Sequence, residues 1–169
     1  AGANAVAVTE LTVGHVLSLI QGVKESDTSL RNGTWVRVMG RSLDELTVGI
    51  IGVGRIGKLV ARHLAAFGAK IIANDLEPDE TFGNEIGIEW MEKDRLFMEA
   101  DVVCLHVPVT PMTRNVVSRE VLATMKPDAI LINTARGGLI DEGALAQALR
   151  SGRLGGAALD VFEREPYEG

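Results

Sequence analysis

Apolar positions along the chain alternate between two spacings. Short runs of strand length at residues 46–53, 70–74, 101–107, 129–133 and 156–161 are separated by stretches whose apolar residues recur every three or four positions. The first stretch is the longest: residues 4 to about 30 contain no proline, and Val6, Val13, Leu17, Ile20 and Val23 lie near helical spacing. One amphipathic helix that docks on another surface is expected there, ending at Asn32-Gly33, where left-handed backbone is tolerated. Residues 34–44 form a mixed polar connection carrying Trp35. Helices are expected at 55–67, stopped by Gly68, at 92–98, at 119–125, and at 141–151, the last opened by the acidic cap Asp141 and closed by Gly152. Between 76 and 92 the pattern is weak and interrupted by Pro78, Gly83 and Gly87, so no element is assigned. Five strand-like runs joined by helical crossovers predict an α/β fold, a doubly wound parallel sheet that places ligands at the carboxyl ends of its strands. Residues 1–45 read as a linking helix and arm, and 46–169 as a nucleotide-binding core.

Composition narrows this picture. At 169 residues and 46% hydrophobic content the chain has the size of one domain with a substantial core, and only 4% aromatics against 19 glycines suits helices packed closely on a parallel sheet. The formal net charge of −6 speaks against nucleic acid as a partner. No apolar run is long enough to span a bilayer, so no membrane role is expected. The first 20 residues lack the basic start of a signal peptide, and the absence of an initiator Met suggests a piece of a longer chain. Cys104 is the single cysteine, which excludes an internal disulfide, leaves no metal-ligand spacing and fits a reducing, cytoplasmic setting.

The candidate chemistry begins at Gly52-Val53-Gly54-Arg55-Ile56-Gly57, which matches G-x-G-x-x-G between a strand and a helix. Gly52 permits the tight turn, Gly54 lets a diphosphate approach the backbone, and Gly57 lets helix and strand pack closely, while the helix N-terminus attracts the phosphates. Asp75 ends the next strand, 18 residues after Gly57 (75 − 57). There an acid accepts hydrogen bonds from ribose hydroxyls, which predicts NAD over NADP: a 2′-phosphate facing the carboxylate would cost roughly 1–4 kcal/mol. Arg136, followed by Gly137 and Gly138, should project from the carboxyl end of another strand. It is either a bidentate carboxylate clamp or a surface arginine in a turn. Cys104, flanked by apolar residues, reads as core; Trp35 and Trp90 are expected to pack rather than stack on bases. His15 and His63 lie on helices as packed or solvent-facing side chains, and His106 stands at a strand end where it can line a cleft.

The glycine loop, the segment His106-Val107-Pro108-Val109-Thr110-Pro111-Met112-Thr113-Arg114, residues 133–145 and residues 156–166 together resemble the D-isomer-specific 2-hydroxyacid dehydrogenases, most closely the D-3-phosphoglycerate dehydrogenase branch. The resemblance covers essentially the whole chain. It implies a Rossmann NAD-binding domain in an enzyme that transfers hydride between a D-2-hydroxy acid (or its 2-oxo acid) and NAD. It further implies that Arg55 and Ile56 contact the diphosphate and that Val107 and Thr134 meet the cofactor largely through backbone. His106, Pro108, Thr113 and Ala135 complete the cofactor set by the same resemblance, and Asp160 holds the nicotinamide carboxamide. Arg136 would bind the substrate carboxylate and carbonyl, and Glu165 would pair with a catalytic histidine that the family places downstream, outside these 169 residues, in a substrate domain not present here. The family also implies a homodimer formed through this domain, for which the long first helix and Trp35 arm offer apolar surface. Within the family, glyoxylate/hydroxypyruvate reductase and D-lactate dehydrogenase remain alternatives. An NAD(H)-responsive corepressor-like binding protein is the alternative outside enzymes.

Overall fold

The computed structural model describes residues 4–167. Its centre is a parallel sheet of six strands, β1 (Thr47–Ile51), β2 (Lys70–Asn74), β3 (Glu89–Trp90), β4 (Val102–Leu105), β5 (Ile130–Asn133) and β6 (Gly156–Leu159), in the order β3-β2-β1-β4-β5-β6. Seven α-helices flank it: α1 (Ala5–Ile20), α2 (Val23–Arg31), α3 (Arg55–Ala66), α4 (Glu80–Ile86), α5 (Lys93–Glu99), α6 (Arg119–Thr124) and α7 (Glu142–Arg150). This is the doubly wound arrangement that the pattern of runs predicts.

Alternate residues of the inner strands feed two cores. Val48, Ile50, Cys104 and Ile132 pack under Val16 and Ile20 of α1 and Val60 and Leu64 of α3. Ile51, Val103, Leu105 and Leu131 face Leu96 and Phe97 of α5, Leu122 of α6 and Leu145 of α7. Each fully buried Leu or Ile removes enough apolar surface from water to contribute about 1.5–3 kcal/mol. Both faces of β1, β4 and β5 are therefore covered, which is why their sequences read as continuous apolar runs.

Four expectations are corrected. The first helical stretch is two helices, not one: Gln21 ends α1, Gly22 takes the left-handed φ of +61°, and α2 leaves at 65° to α1. A Cβ at Gly22 would collide with the Val38 side chain, so the bend lies where a side chain does not fit. The buried face of α1 is also different, running through Ala5, Thr9, Thr12, Val16 and Ile20, while Val6 and Val23 are exposed. Two threonines can be buried because each hydroxyl donates to the carbonyl four residues back, Thr9 to Ala5 and Thr12 to Val8, both at 2.8 Å. The weak region contains α4, capped by Asp79 accepting from Phe82 N at 3.0 Å, followed by the two-residue edge strand β3, so there are six strands rather than five. Trp90 packs against the core as expected, but Trp35 is 81% exposed.

No single helix among the described residues is long and apolar enough to cross a membrane. No group of acidic, histidine or cysteine side chains among them could hold a metal.

Candidate functional site

The register of the sheet aligns its carboxyl ends. Asn74 pairs with Ile51, Ile51 with Leu105, Leu105 with Asn133, and Asn133 with Leu159. The residues that follow, Asp75, Gly52, His106, Thr134 and Asp160, therefore form one row across five strands. At about 4.8 Å per strand the row is roughly 19 Å long, and the strand order reverses within it, between β1 and β4, where open α/β sheets bind ligands. A cleft of about 400 Å³ opens along its β4-to-β6 half, lined by Ile56, His106, Val107, Pro108, Thr134, Ala135, Arg136 and Asp160, and also by Asn4, Val8 and Val161.

At the other half, the glycine loop has the geometry its sequence suggests. Gly52 adopts φ +91°, and a Cβ there would lie 2.7 Å from the His106 carbonyl oxygen. A Cβ at Gly57 would fall on the Gly52 carbonyl, so the first turn of α3 lies against the loop with no room for a methyl group. At Gly54, by contrast, no atom lies within 4 Å of the Cβ position, leaving open space in front of the α3 N-terminus. Gly54 gives that terminus no side-chain cap, and the positive end of the α3 dipole faces this open space, which favours an anion. Asp75 is joined to the same loop: its Oδ2 accepts from Val53 N at 2.6 Å and its Oδ1 from Glu77 N at 3.0 Å. Each carboxylate oxygen retains further acceptor capacity. An open approach at Gly54, an uncapped helix start and an anchored acid thus fit the diphosphate and ribose of a dinucleotide.

The β5 end is scaffolded by Asn133, which is fully buried. Its amide donates to Arg136 O at 2.9 Å and accepts from Ala135 N at 3.1 Å, closing a tight turn that carries Arg136 out to the cleft. The Arg136 guanidinium donates to Ala135 O at 2.6 Å. Gly137 follows because the backbone of Phe162 and Glu163 crosses directly over it, where any Cβ would collide. That crossing segment is held by Arg114, whose Nη1 lies 2.9 Å from Glu163 Oε1, and by Glu142, which accepts from Glu163 N at 2.7 Å.

Nearby, the His106 Nε2 is buried without a hydrogen-bond partner, and burial pushes its pKa down to about 4. The ring is neutral at pH 7 and offers the cleft an uncharged imidazole. Cys104, one strand position before Leu105, is pushed up to about 12 by burial and is an inert core thiol.

Besides Gly52, Gly54, Arg55, Gly57 and Asp75 at the other half of the row, two expected site residues, Thr113 and Glu165, lie apart from the cleft lining. Thr113 braces the preceding loop, its hydroxyl donating to Pro108 O and accepting from Thr110 N at 2.7 Å. Glu165 is exposed and turns its carboxylate onto Phe162 N at 3.0 Å. Conversely, Asn4, the N-cap residue of α1, and Val8 on that helix line the cleft, although the helix is expected from its pattern to dock on another surface. Nothing in the sequence marks Val8 for this role, since Val6, equally apolar on the same turn, is exposed and outside the cleft.

A doubly wound sheet with a glycine loop at its switch point, an anchored acid at the end of β2 and an elongated cleft beyond defines a dinucleotide-binding domain. Residues 13–169 match the family model described as D-isomer specific 2-hydroxyacid dehydrogenase, NAD binding domain. The chain belongs to this family and is its NAD-binding domain. It is 43% identical over 167 residues to D-3-phosphoglycerate dehydrogenase of Methanocaldococcus jannaschii, covering 97% of this chain and 32% of that protein. It is 44% identical to hydroxypyruvate reductase of Thermotoga maritima, covering 98% of this chain and 54% of that one. Among solved structures, D-lactate dehydrogenase from Aquifex aeolicus, complexed with NAD and lactic acid, superposes with a TM-score of 0.89 at 37% identity, covering 94% of this chain and 48% of that one. The chain thus spans between about a third and a half of these relatives.

Proposed function

We propose that the protein is an NAD-dependent dehydrogenase of D-2-hydroxy acids, with 3-phosphoglycerate as the first substrate candidate and hydroxypyruvate or D-lactate chemistry as the others. The observation that carries this reading is the placement of Arg136 in the same cleft as Thr134 and Asp160, at the far end of the row that begins with Asp75 and the glycine loop. A dinucleotide stretched along the row puts its reactive end beside a guanidinium suited to a carboxylate. Supporting the substrate candidates are the names of the relatives, D-3-phosphoglycerate dehydrogenase and hydroxypyruvate reductase.

In this reading Gly52, Gly54, Arg55, Ile56 and Gly57 hold the diphosphate and Asp75 the ribose. His106, Val107, Pro108, Thr134, Ala135 and Asp160 enclose the nicotinamide end, with Thr113 bracing the Pro108 loop. NAD, when bound, supplies the hydride acceptor. Arg136 grips the substrate carboxylate and draws electron density toward the reacting oxygen. During oxidation the C2–H bond breaks, the hydride leaves with its electron pair, and the hydroxyl proton passes to a base. None of the histidines here suits that task. His106 is too weak a base, because burial disfavours the protonated ring it would become, His63 lies outside the cleft with its Nδ1 2.7 Å from Leu59 O, and His15 is on α1 outside the cleft lining. We therefore assign the base to a histidine elsewhere in the full-length protein, oriented by Glu165 once the substrate-bearing part closes on this domain.

The protein is read as a homodimer. Support comes from the exposed apolar side chains of Val23, Leu30, Trp35, Val36 and Met39 and from a mainly apolar groove between α1 and α3, lined by Val6, Val13, Leu17 and Leu59 together with Thr9, Glu10 and His63. A reducing, cytoplasmic setting fits its lone buried thiol.

Initial rates of NAD reduction by full-length protein over a panel of D-2-hydroxy acids test the proposal, with L-enantiomers as controls. D-selective turnover that falls at least about 100-fold in Arg136→Gln, with NAD affinity retained, is the expected result. Absence of turnover with every acid in either direction overturns it.

A further inference from the structure

The cleft is reached by a buried hydroxyl relay that the dehydrogenase reading does not use. Thr12 of α1 is fully buried, and its Oγ1 lies 2.8 Å from Val8 O and 2.8 Å from Thr134 Oγ1. A threonine hydroxyl carries one proton, and a carbonyl oxygen can only accept. Thr12 must therefore donate to Val8 O, which leaves its own oxygen as the acceptor facing Thr134. The Thr134 proton is then directed at Thr12, and Thr134, which lines the cleft, has only oxygen lone pairs left to offer a ligand. Asp160, one strand over in the same row, adds a carboxylate. This end of the cleft thus presents acceptors without a hydroxyl donor from Thr134. The Thr134–Asp160 edge suits a group that donates through N–H bonds, whereas an anion is served by Arg136 elsewhere in the same lining.

We propose that Thr12 is a positioning residue for specificity: by fixing the direction of the Thr134 hydroxyl it makes the cleft select a primary carboxamide over the corresponding carboxylate. This inference rests on NAD occupying the cleft. When the Thr12 oxygen is absent, the Thr134 hydroxyl is free to turn and donate into the cleft, and the penalty against a carboxylate is reduced.

The test compares dissociation constants for NAD and for nicotinic acid adenine dinucleotide, which differs from NAD only in carrying a carboxylate in place of the carboxamide. Titration calorimetry would be run on full-length wild-type protein and on Thr12→Val and Thr12→Ser. Wild type should prefer NAD, Thr12→Val should shrink that preference about ten- to a hundredfold, as expected for one hydrogen bond to a charged group, and Thr12→Ser should restore it. Loss of packing alone would weaken both ligands equally and leave the ratio unchanged, so an unchanged ratio in folded Thr12→Val overturns the proposal. If Thr12→Val does not fold, Thr134→Val removes the same lone pairs from the cleft side, and an unchanged ratio there has the same meaning. Wild-type protein that binds neither dinucleotide overturns the NAD reading itself and this inference with it.

Discussion

Individual residues in the glycine loop have separable jobs. At Gly57 a methyl group would fall on the Gly52 carbonyl, whereas at Gly54 it would enter open space. Gly57→Ala is expected to cost about 1–3 kcal/mol of stability, because helix and loop must move apart. Gly54→Ala should change stability by less than about 0.5 kcal/mol and yet weaken NAD binding, since its methyl occupies the diphosphate approach. Thermal unfolding and calorimetric titration of the two variants separate these effects. His106 provides a pH prediction. Its folded pKa of about 4 lies below the ordinary histidine value of 6.5, so between those limits the unfolded chain binds more protons than the folded one. Stability from this group is complete above pH 6.5 and declines as pH falls toward 4, by up to about 3 kcal/mol. Denaturation midpoints followed from pH 7 to pH 4 should fall less steeply in His106→Gln than in wild type. Legibility at this scale was uneven. Gly52, Gly54, Gly57 and Asp75 could be recognised because backbone conformation and close approach demand those residue types. Asn133 and Thr12 could not, because a buried polar residue has meaning only through partners distant along the chain.

Elements that pack by simple periodicity were legible almost to the residue: β2 and the helices α3, α6 and α7 lie where apolar spacing and caps place them. Three features escaped. The pair α4 and β3 lies in a glycine-interrupted stretch, and β3 exists only because Ile72 and Ala73 of β2 offer it a register. The α1–α2 break depends on Gly22, whose role becomes clear only when Val38 folds back against it. Gly22→Ala forces a side chain into left-handed backbone and onto Val38. It should lower stability by about 1–2 kcal/mol in chemical denaturation while leaving the NAD dissociation constant within about twofold of wild type. A larger loss of binding would show that α1 couples more tightly to the cleft than its Asn4 and Val8 contacts indicate.

For the whole molecule, the exposed Trp35 and Met39 and the α1–α3 groove are apolar surfaces that the described residues leave open. Light scattering at micromolar concentration is expected to give a dimer mass, and Trp35→Glu to shift it toward monomer; a monomeric wild type would exclude the proposed pairing. The 169-residue chain alone is expected to bind NAD without turnover, and multiple turnovers by it would place the proton carrier within these residues. What the sequence determined by itself is what local physics encodes: an apolar rhythm that implies a parallel sheet covered on both faces, and a glycine-and-acid pattern, between strand and helix, that suits a dinucleotide. Tertiary structure alone decided how those pieces meet. Parallel register brought Asp75, Gly52, His106, Thr134 and Asp160, scattered across 109 residues (160 − 52 + 1), into one row. Helix α1 also came to wall the cleft and to join Thr12 to Thr134, 122 positions away. Hydrogen-bond register between strands and side-chain contact between layers depend on distances in space, which periodicity along a chain does not contain.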